Sequence, residues 1–170
     1  MPTHALLTSL FTGLDSTTLT LVEPLFEKFS CPSETVLFHT GEPAEFFYLV
    51  ARGNVVIRYK PYDGPAIDLT TISAGGGVGW SAIVGNPAYT SDAVAGDDVE
   101  ALRLRGESLR SLALSHPEAG SLILERLAHL VSARWKNADQ QVHELLAQSV
   151  HNTNRASAMR ARKHRHPKEV

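Results

Sequence analysis

The chain has 170 residues, of which 43% are hydrophobic and 20% charged, so it can bury one ordinary core, and two full domains would be cramped. It contains neither a run of about eighteen apolar residues nor a basic start followed by an apolar signal core, which predicts a cytoplasmic protein without a membrane span. The single cysteine, Cys31, excludes an intrachain disulfide and a multi-cysteine metal site.

Residues 1–30 are predicted to form an N-terminal helical segment. Asp15 is placed to cap a helix that begins in STTLTLVEPLFEKF, and Pro24 must kink or divide that helix. The apolar residues that recur at helical spacing are Leu19, Val22, Phe26 and Phe29.

Residues 31–106 change to short apolar runs separated by turn residues. The runs are TVLFH, FFYLVA, VVIRYK, AIDLTTI, DAVA and VEALRL, and the turns between them include TGEPAE, RGN and PYDGP. Several short strands at this spacing predict an antiparallel barrel or sandwich.

Residues 107–150 are predicted to be helical. GESLRSLALS forms a short helix, and a long one opens at SHPEAG, where Ser115 and Glu118 have capping-box spacing. Seven residues of the long helix follow alternating steps of four and three: Leu124, Ala128, Val131, Trp135, Ala138, Val142 and Leu145. This heptad seam predicts a parallel homodimer, and the alternative is a helix that packs on its own barrel.

Residues 151–170 form a basic tail. Residues 155–170 carry six Lys and Arg against one acidic residue, whereas residues 1–154 carry 10 against 17. The tail has almost no large apolar residues, which predicts a disordered, solvated extension; the alternative is a non-specific, salt-sensitive contact with nucleic acid.

The stretch GEPAEFFYLVARGNVVI carries the first resemblance to a known family. Gly41 begins a turn, the pattern F-Y-L-V forms a strand, and Gly53 precedes the next strand. With the order of elements over about residues 5–148, this resembles the cyclic-nucleotide-binding domain of the cyclic AMP receptor protein superfamily. The resemblance implies a mostly β fold with flanking helices, namely a double-stranded β-helix (jelly roll) followed by a long C-terminal dimerisation helix.

A second stretch, GGGVGWSAIVGNPAYTSDAVA, matches the family's phosphate-binding loop in part. In members that bind cyclic nucleotides, the loop opens with a Phe-Gly-Glu-like stretch, makes one helical turn, and ends in Arg, then Ser or Thr, then Ala. Gly79 stands at the glycine of that pattern, where the backbone approaches the phosphate. Trp80 stands where the Glu is expected and Tyr89 where the Arg is expected, followed by Thr90 and Ser91.

The resemblance implies a ligand between this loop and the long helix, either a cyclic nucleotide or another small anion. The implied binding residues are Gly79, Trp80, Ser81, Ala82, Tyr89, Thr90, Ser91, Arg134 and Trp135. A charge-assisted hydrogen bond contributes about 1.5–3 kcal/mol, so the loss of both the Arg and the Glu predicts cyclic AMP binding weaker by about two to four powers of ten. Trp80 and Tyr89 either contact a ligand or fill the empty pocket themselves.

Enzymatic function is not expected. A metal-dependent jelly-roll enzyme needs several converging histidines, and His39 is the only histidine between residues 30 and 115. The roughly twenty residues after Gln148 hold no amphipathic helix pair, so sequence-specific DNA binding is not expected either. The sequence therefore favours a regulatory sensor of a small anionic or nucleotide-like ligand. The alternative is a ligand-free jelly-roll module that binds another protein.

Overall fold

The structure, a computed structural model, describes residues 2–130, with side chains from Leu6 onward. Several predictions fall outside the described residues: the seam positions Val131, Trp135, Ala138, Val142 and Leu145, the site residue Arg134, and the basic tail at 151–170. Within residues 2–130, no helix combines the length and the apolar character needed to cross a membrane.

Two short helices open the chain, α1 (Pro2–Leu10) and α2 (Ser16–Val22). Asp15 caps α2 as expected, because its carboxylate accepts the backbone N–H groups of Thr17 and Thr18 at 2.9 and 3.0 Å. The hydroxyl of Thr18 also donates to this carboxylate, at 2.7 Å.

The expectation that helix continues to Phe29 is wrong. A 3-10 turn at Glu23–Leu25 contains Pro24, and strand β1 (Phe26–Cys31) follows it, so the strands begin before the predicted boundary at residue 31. Phe26 packs on the helix side of the sheet and Phe29 on the opposite side. Because both faces of β1 are covered, its apolar residues do not alternate, and their spacing imitates a helix.

Eight strands form two antiparallel sheets of four, in the orders β1-β8-β3-β6 and β2-β7-β4-β5. The six strands predicted from the sequence are confirmed, and β1 and β6 were not foreseen. After β1, the strands are β2 (Val36–Phe38), β3 (Phe46–Arg52), β4 (Asn54–Tyr59), β5 (Ile67–Ser73), β6 (Gly77–Val78), β7 (Asp92–Ala95) and β8 (Val99–Arg105).

The first sheet separates two apolar clusters because side chains alternate along its strands. In β3, Phe47 and Leu49 face the helices, whereas Tyr48 and Val50 face the second sheet. The helix-side cluster consists of Leu10, Phe11, Val22, Phe47, Leu49, Ile83, Leu102, Leu104, Leu109, Leu112, Ile123 and Leu127. The barrel cluster consists of Phe38, Tyr48, Val50, Val55, Ile57, Ile72, Val78, Tyr89, Ala93, Ala95, Val99 and Ala101.

The turn between β3 and β4 requires the glycine that the sequence places there. Gly53 has φ +79°, and a Cβ at this position would strike the carbonyl oxygen of Asp98. A larger residue would therefore meet both backbone strain and a steric clash.

The last described elements are α4 (Gly106–Ser115), the predicted short helix, and α5, which is helical over residues 117–130. The predicted capping box, in which Ser115 begins the long helix, is wrong. Ser115 is the last residue of α4, and its hydroxyl donates back to the Ser111 carbonyl at 3.0 Å. Ile123 and Leu127 are fully buried on one face of α5. This face packs on the protein's own core.

Two seam positions lie within the described part of α5. Leu124 is half-buried against the helix-side cluster, and Ala128 is exposed. The guanidinium of Arg126 fixes α5 to the end of α1, since it donates to the carbonyls of Leu10 and Thr12.

Candidate functional site

The loop after β6 brings the backbone close to β3 at Gly79. This glycine has φ +85° and precedes α3 (Trp80–Val84), the short helix expected at this place. A Cβ on Gly79 would lie 2.5 Å from the Phe46 carbonyl oxygen, 3.4 Å from the Tyr89 ring and 3.5 Å from the Phe38 ring. The start of α3 therefore lies directly against the barrel cluster, with two aromatic rings beside it.

Tyr89 fills the space beside Gly79. It is buried, and its ring stacks on that of Phe38 with 3.7 Å between the ring centroids and an interplanar angle of 10°. Its hydroxyl accepts the N–H of Phe46 at 2.9 Å and donates to the carbonyl of the same residue at 2.8 Å. Burial raises the pKa of this hydroxyl, so it stays protonated and able to donate at neutral pH.

The backbone of Tyr89 is held by the segment that precedes β3. Its N–H donates to the Glu42 carbonyl at 3.0 Å, and its carbonyl accepts the N–H of Gly41 at 2.9 Å. An isolated bridge between Pro43 and Ala88 continues this pairing. Main chain and side chain of Tyr89 are thus both bound to residues 41–46, which fixes the ring in the barrel.

Trp80 lies on the other side of the sheet. Its indole meets Phe47 edge to face, with centroids 6.2 Å apart and an interplanar angle of 74°, and it is half-buried against the helix-side cluster. The sequence left open whether Trp80 contacts a ligand or fills the barrel. The structure places its ring among the helices, and Tyr89 occupies the barrel instead.

The remaining predicted site residues of the described chain lie within α3 or in the segment that precedes β7. Ala82 is fully buried, and its carbonyl accepts the guanidinium of Arg110 at 2.8 Å. Ser81 and Ser91 are half-buried and Thr90 is exposed. In the described part of the chain, no hydrogen bond joins the side chains of Thr90 and Ser91 to α3, so the expected facing of these hydroxyls toward the helix is not formed as a direct contact. Arg134 and Trp135 lie outside the described residues.

Residues 45 and 46 connect Tyr89 to α4. The carbonyl of Glu45 accepts the N–H of Gly106, the first residue of α4, at 3.0 Å. The next peptide groups along the chain, at Phe46, bind the Tyr89 hydroxyl. A side chain at Gly106 would strike the Ala82 carbonyl, so α3 and α4 are in close contact. The backbone of residues 45 and 46 therefore contacts the barrel through Tyr89, the start of α3 at Gly79, and α4 at Gly106.

Two arginines missed by the sequence reasoning lie beside Phe46. The guanidinium carbons of Arg103 and Arg105 are each 4.4 Å from the centroid of its ring. Both are paired with carboxylates, Arg103 with Glu27 at 2.9 Å and Arg105 with Glu45 at 3.1 Å. Their alternation in the sequence of β8 predicts that both lie on the same face of the strand as Ala101. It does not predict that the ring of Phe46 lies beside them.

Tyr48 and Phe29 continue, across the barrel, the group of aromatic rings that begins with Tyr89 and Phe38. Its ring lies 5.1 Å from that of Phe29 and 6.3 Å from that of Phe38. Burial, followed by the nearby Tyr89, raises the pKa of Tyr48 to about 12. The space between the sheets at this end is thus lined by aromatic rings, and the hydroxyls of Tyr48 and Tyr89 remain neutral.

A separate groove of about 450 Å³ lies between α2 and α4, away from Gly79. Its walls combine leucines with hydroxyl groups, and its lining residues are Leu21, Leu25, Glu107, Ser108, Ser111, Leu112, Ser115 and His116. Among the described residues, no group of three His, Cys, Asp or Glu side chains is placed to hold a metal ion.

Comparison with known proteins gives one family match, to the cyclic nucleotide-binding domain, over residues 28–116. A curated relative, the cAMP-activated global transcriptional regulator CRP of Pasteurella multocida, is 29% identical over 115 residues, which are 67% of this chain and 53% of the relative. The chain thus spans about half the length of that relative.

Two solved structures have the same fold. A cyclic nucleotide-binding domain from Methylobacillus flagellatus aligns with a TM-score of 0.72 at 17% identity, over 84% of this chain and 82% of its own. The Thermus thermophilus catabolite activator protein aligns with a TM-score of 0.61 at 27% identity, over 80% and 62%. The predicted jelly-roll fold with flanking helices is therefore confirmed.

Proposed function

Because the chain belongs to the cyclic nucleotide-binding domain family, we propose that it is a regulatory domain whose barrel is filled by its own Tyr89 and which acts by contact with another protein. The observation that supports this most is the double hydrogen bond of the Tyr89 hydroxyl to Phe46, together with the stack on Phe38. A ligand beside Gly79 would have to displace a buried ring and leave two backbone groups without a partner.

The charges in the loop support the same proposal. At the positions where cyclic-nucleotide binders of this family carry Glu and Arg, this chain has Trp80 and Tyr89. Arg103 and Arg105, which lie beside Phe46, are already paired with Glu27 and Glu45, and Arg110 already donates to the Ala82 carbonyl of α3. A cyclic nucleotide would therefore find no free cation to neutralise its phosphate among these residues.

We expect cyclic AMP and cyclic GMP to bind the wild-type protein with dissociation constants above about 10 µM, as measured by titration calorimetry. The variant Tyr89→Arg restores the cation of the loop and removes the ring, so its affinity for cyclic AMP should rise at least about tenfold.

Tyr62→Arg is the matched control for this titration, because it adds the same charge at a fully exposed tyrosine in another hairpin. Its affinity should equal that of the wild type. Wild-type dissociation constants below about 10 µM would contradict the proposal, since they would require about −7 kcal/mol from contacts other than the two missing charges.

A second candidate is a sensor of a small anionic or nucleotide-like ligand that enters when Tyr89 moves aside. Gly79 favours it, since the close backbone approach that an anion needs is retained. Native mass spectrometry of protein purified from its own cells separates the two candidates. A co-purifying small molecule that is lost in Gly79→Val supports the sensor, and its absence supports the filled barrel.

A homodimer through Leu124 to Leu145 is part of the proposal. Support comes from α5, where Leu124 and Ala128 lie off the fully buried face formed by Ile123 and Leu127. We expect twice the mass of one chain in sedimentation at tens of micromolar, and a single-chain mass for the double variant Val131→Asp, Val142→Asp, because charges in a heptad seam are unfavourable. A monomeric wild type at this concentration would contradict the seam.

We also propose that the domain acts in the cytoplasm, without catalysis and without reading a DNA sequence. The charge of the described residues supports the last point: residues 2–130 carry eight Lys and Arg against fifteen Asp and Glu, and such an acidic body is repelled by the phosphate backbone of DNA.

A further inference from the structure

The hairpin of β4 and β5 concentrates the exposed apolar side chains of the described chain. Seven large hydrophobic residues are exposed among the described residues, and four of them lie in this hairpin. They are Tyr59 (46% exposed), Tyr62 (102%), Ile67 (52%) and Leu69 (55%). Such a concentration of exposed apolar side chains in one hairpin is typical of a contact with another macromolecule.

The hairpin lies at the edge of its sheet. β5 is the last strand in the order β2-β7-β4-β5 and pairs with β4 alone. The register places Tyr59 opposite Ile67, and it shifts at Leu69. The apolar residues therefore lie together at the free end of the second sheet, away from the barrel residues Gly79 and Tyr89.

The charges of the hairpin are balanced, although the rest of the described chain is acidic. Arg58 and Asp68 form an ion pair with 2.6 Å between Nε and Oδ1. The other two charged residues, Lys60 and Asp63, form no ion pair in the described part of the chain and carry opposite charges. Because a body with net negative charge repels its own copies, contact between copies is least unfavourable at this neutral hairpin.

We propose that the β4–β5 hairpin is a self-association surface, which joins two copies of this chain about a two-fold axis. In a two-fold contact every pairing occurs twice, once in each direction. Lys60 of one copy therefore pairs with Asp63 of the other, and Asp63 of the first copy pairs with Lys60 of the second. Tyr59, Tyr62, Ile67 and Leu69 supply the apolar centre. This contact is independent of the α5 seam and of the state of the barrel.

The exposed area is adequate for a weak association. Aromatic side chains cover about 150–250 Å² each and Ile and Leu somewhat less, so the four residues offer on the order of 500 Å² per copy at their fractional exposures. Two copies would bury about 1,000 Å², which is the lower end for specific interfaces. The contact should therefore form in the range of hundreds of micromolar.

Sedimentation equilibrium of the full chain carrying Val131→Asp and Val142→Asp, which removes the α5 seam, tests the charge pairing. We expect the mass of this background to double between about 10 and 500 µM, and Lys60→Asp or Asp63→Lys added alone to raise the dissociation constant of this step about tenfold. A mixture of these two charge variants restores every opposite-charge pair, so its dissociation constant should return to within about threefold of that of the background. No doubling in the background, or no recovery in the mixture, overturns the proposal.

Leu69→Lys tests the apolar centre, and it should abolish the doubling over the same range. Leu114→Lys is the matched control, since Leu114 is an exposed leucine on α4, outside the hairpin. It should leave the doubling unchanged. Equal effects of the two substitutions would assign the association to general apolar exposure and overturn the proposed surface. Far-ultraviolet circular dichroism of each variant verifies that the fold is retained.

Discussion

We expect Gly79→Ala to lower the free energy of unfolding by about 2 kcal/mol more than Gly41→Ala does. The two glycines have nearly the same backbone, φ +85° and +86°. A Cβ on Gly41 meets nothing within 4 Å, whereas one on Gly79 comes to 2.5 Å from the Phe46 carbonyl. Both substitutions carry the strain of a left-handed residue, about 1–2 kcal/mol, and only Gly79→Ala adds a clash of about 1–3 kcal/mol.

Urea unfolding of the wild type and both variants measures this difference, because the midpoint and slope give the free energy of each. Equal losses in the two variants would show that the loop does not approach β3 as closely in solution. The close approach to the barrel, which defines the candidate site, would then be absent.

Tyr89→Phe and Tyr89→Ala separate the two interactions that hold the barrel closed. Tyr89→Phe keeps the stack on Phe38 but leaves the N–H and carbonyl of Phe46 without the hydroxyl, so we expect a loss of about 1–3 kcal/mol in unfolding free energy. Tyr89→Ala also removes a buried aromatic ring, and its loss should reach about 4 kcal/mol or more.

Tyr62→Phe is the control for these variants, since the Tyr62 side chain is fully exposed, and its stability should stay within about 0.5 kcal/mol of the wild type. The cavity in Tyr89→Ala should also accept added phenol, which would raise its melting temperature. Wild-type stability in Tyr89→Phe would mean that the hydroxyl does not hold the ring in place, and the filled barrel would lose its main support.

The sequence predicts most of the fold because local patterns decide it. Short apolar runs give six of the eight strands, and Gly53 marks the turn between β3 and β4. β1 escapes the same reasoning, since Phe26 and Phe29 face two different clusters and their spacing matches a helix. β6 escapes it because two residues, Gly77–Val78, are too few to show a period.

The candidate site is only partly predictable, because its contacts join residues that are distant in sequence. The loop pattern identifies Gly79 and Tyr89, and the structure brings them together. It does not reveal that Phe38 stacks on Tyr89 or that Phe46 binds its hydroxyl, since these partners lie 51 and 43 positions earlier in the chain. Trp80 shows the same limit: its position in the loop is evident, but which side of the sheet its ring occupies depends on packing.

The shared backbone at residues 45 and 46 has a consequence for how such a domain is controlled. Tyr89 binds the peptide groups of Phe46, and the preceding carbonyl holds the first residue of α4. On the proposed function, the tyrosine takes the place of a ligand and is present from synthesis, so α4 is held in a single constitutive state. Cells would then adjust the signal by making or degrading the chain, and its strength would follow abundance and not the level of a second messenger.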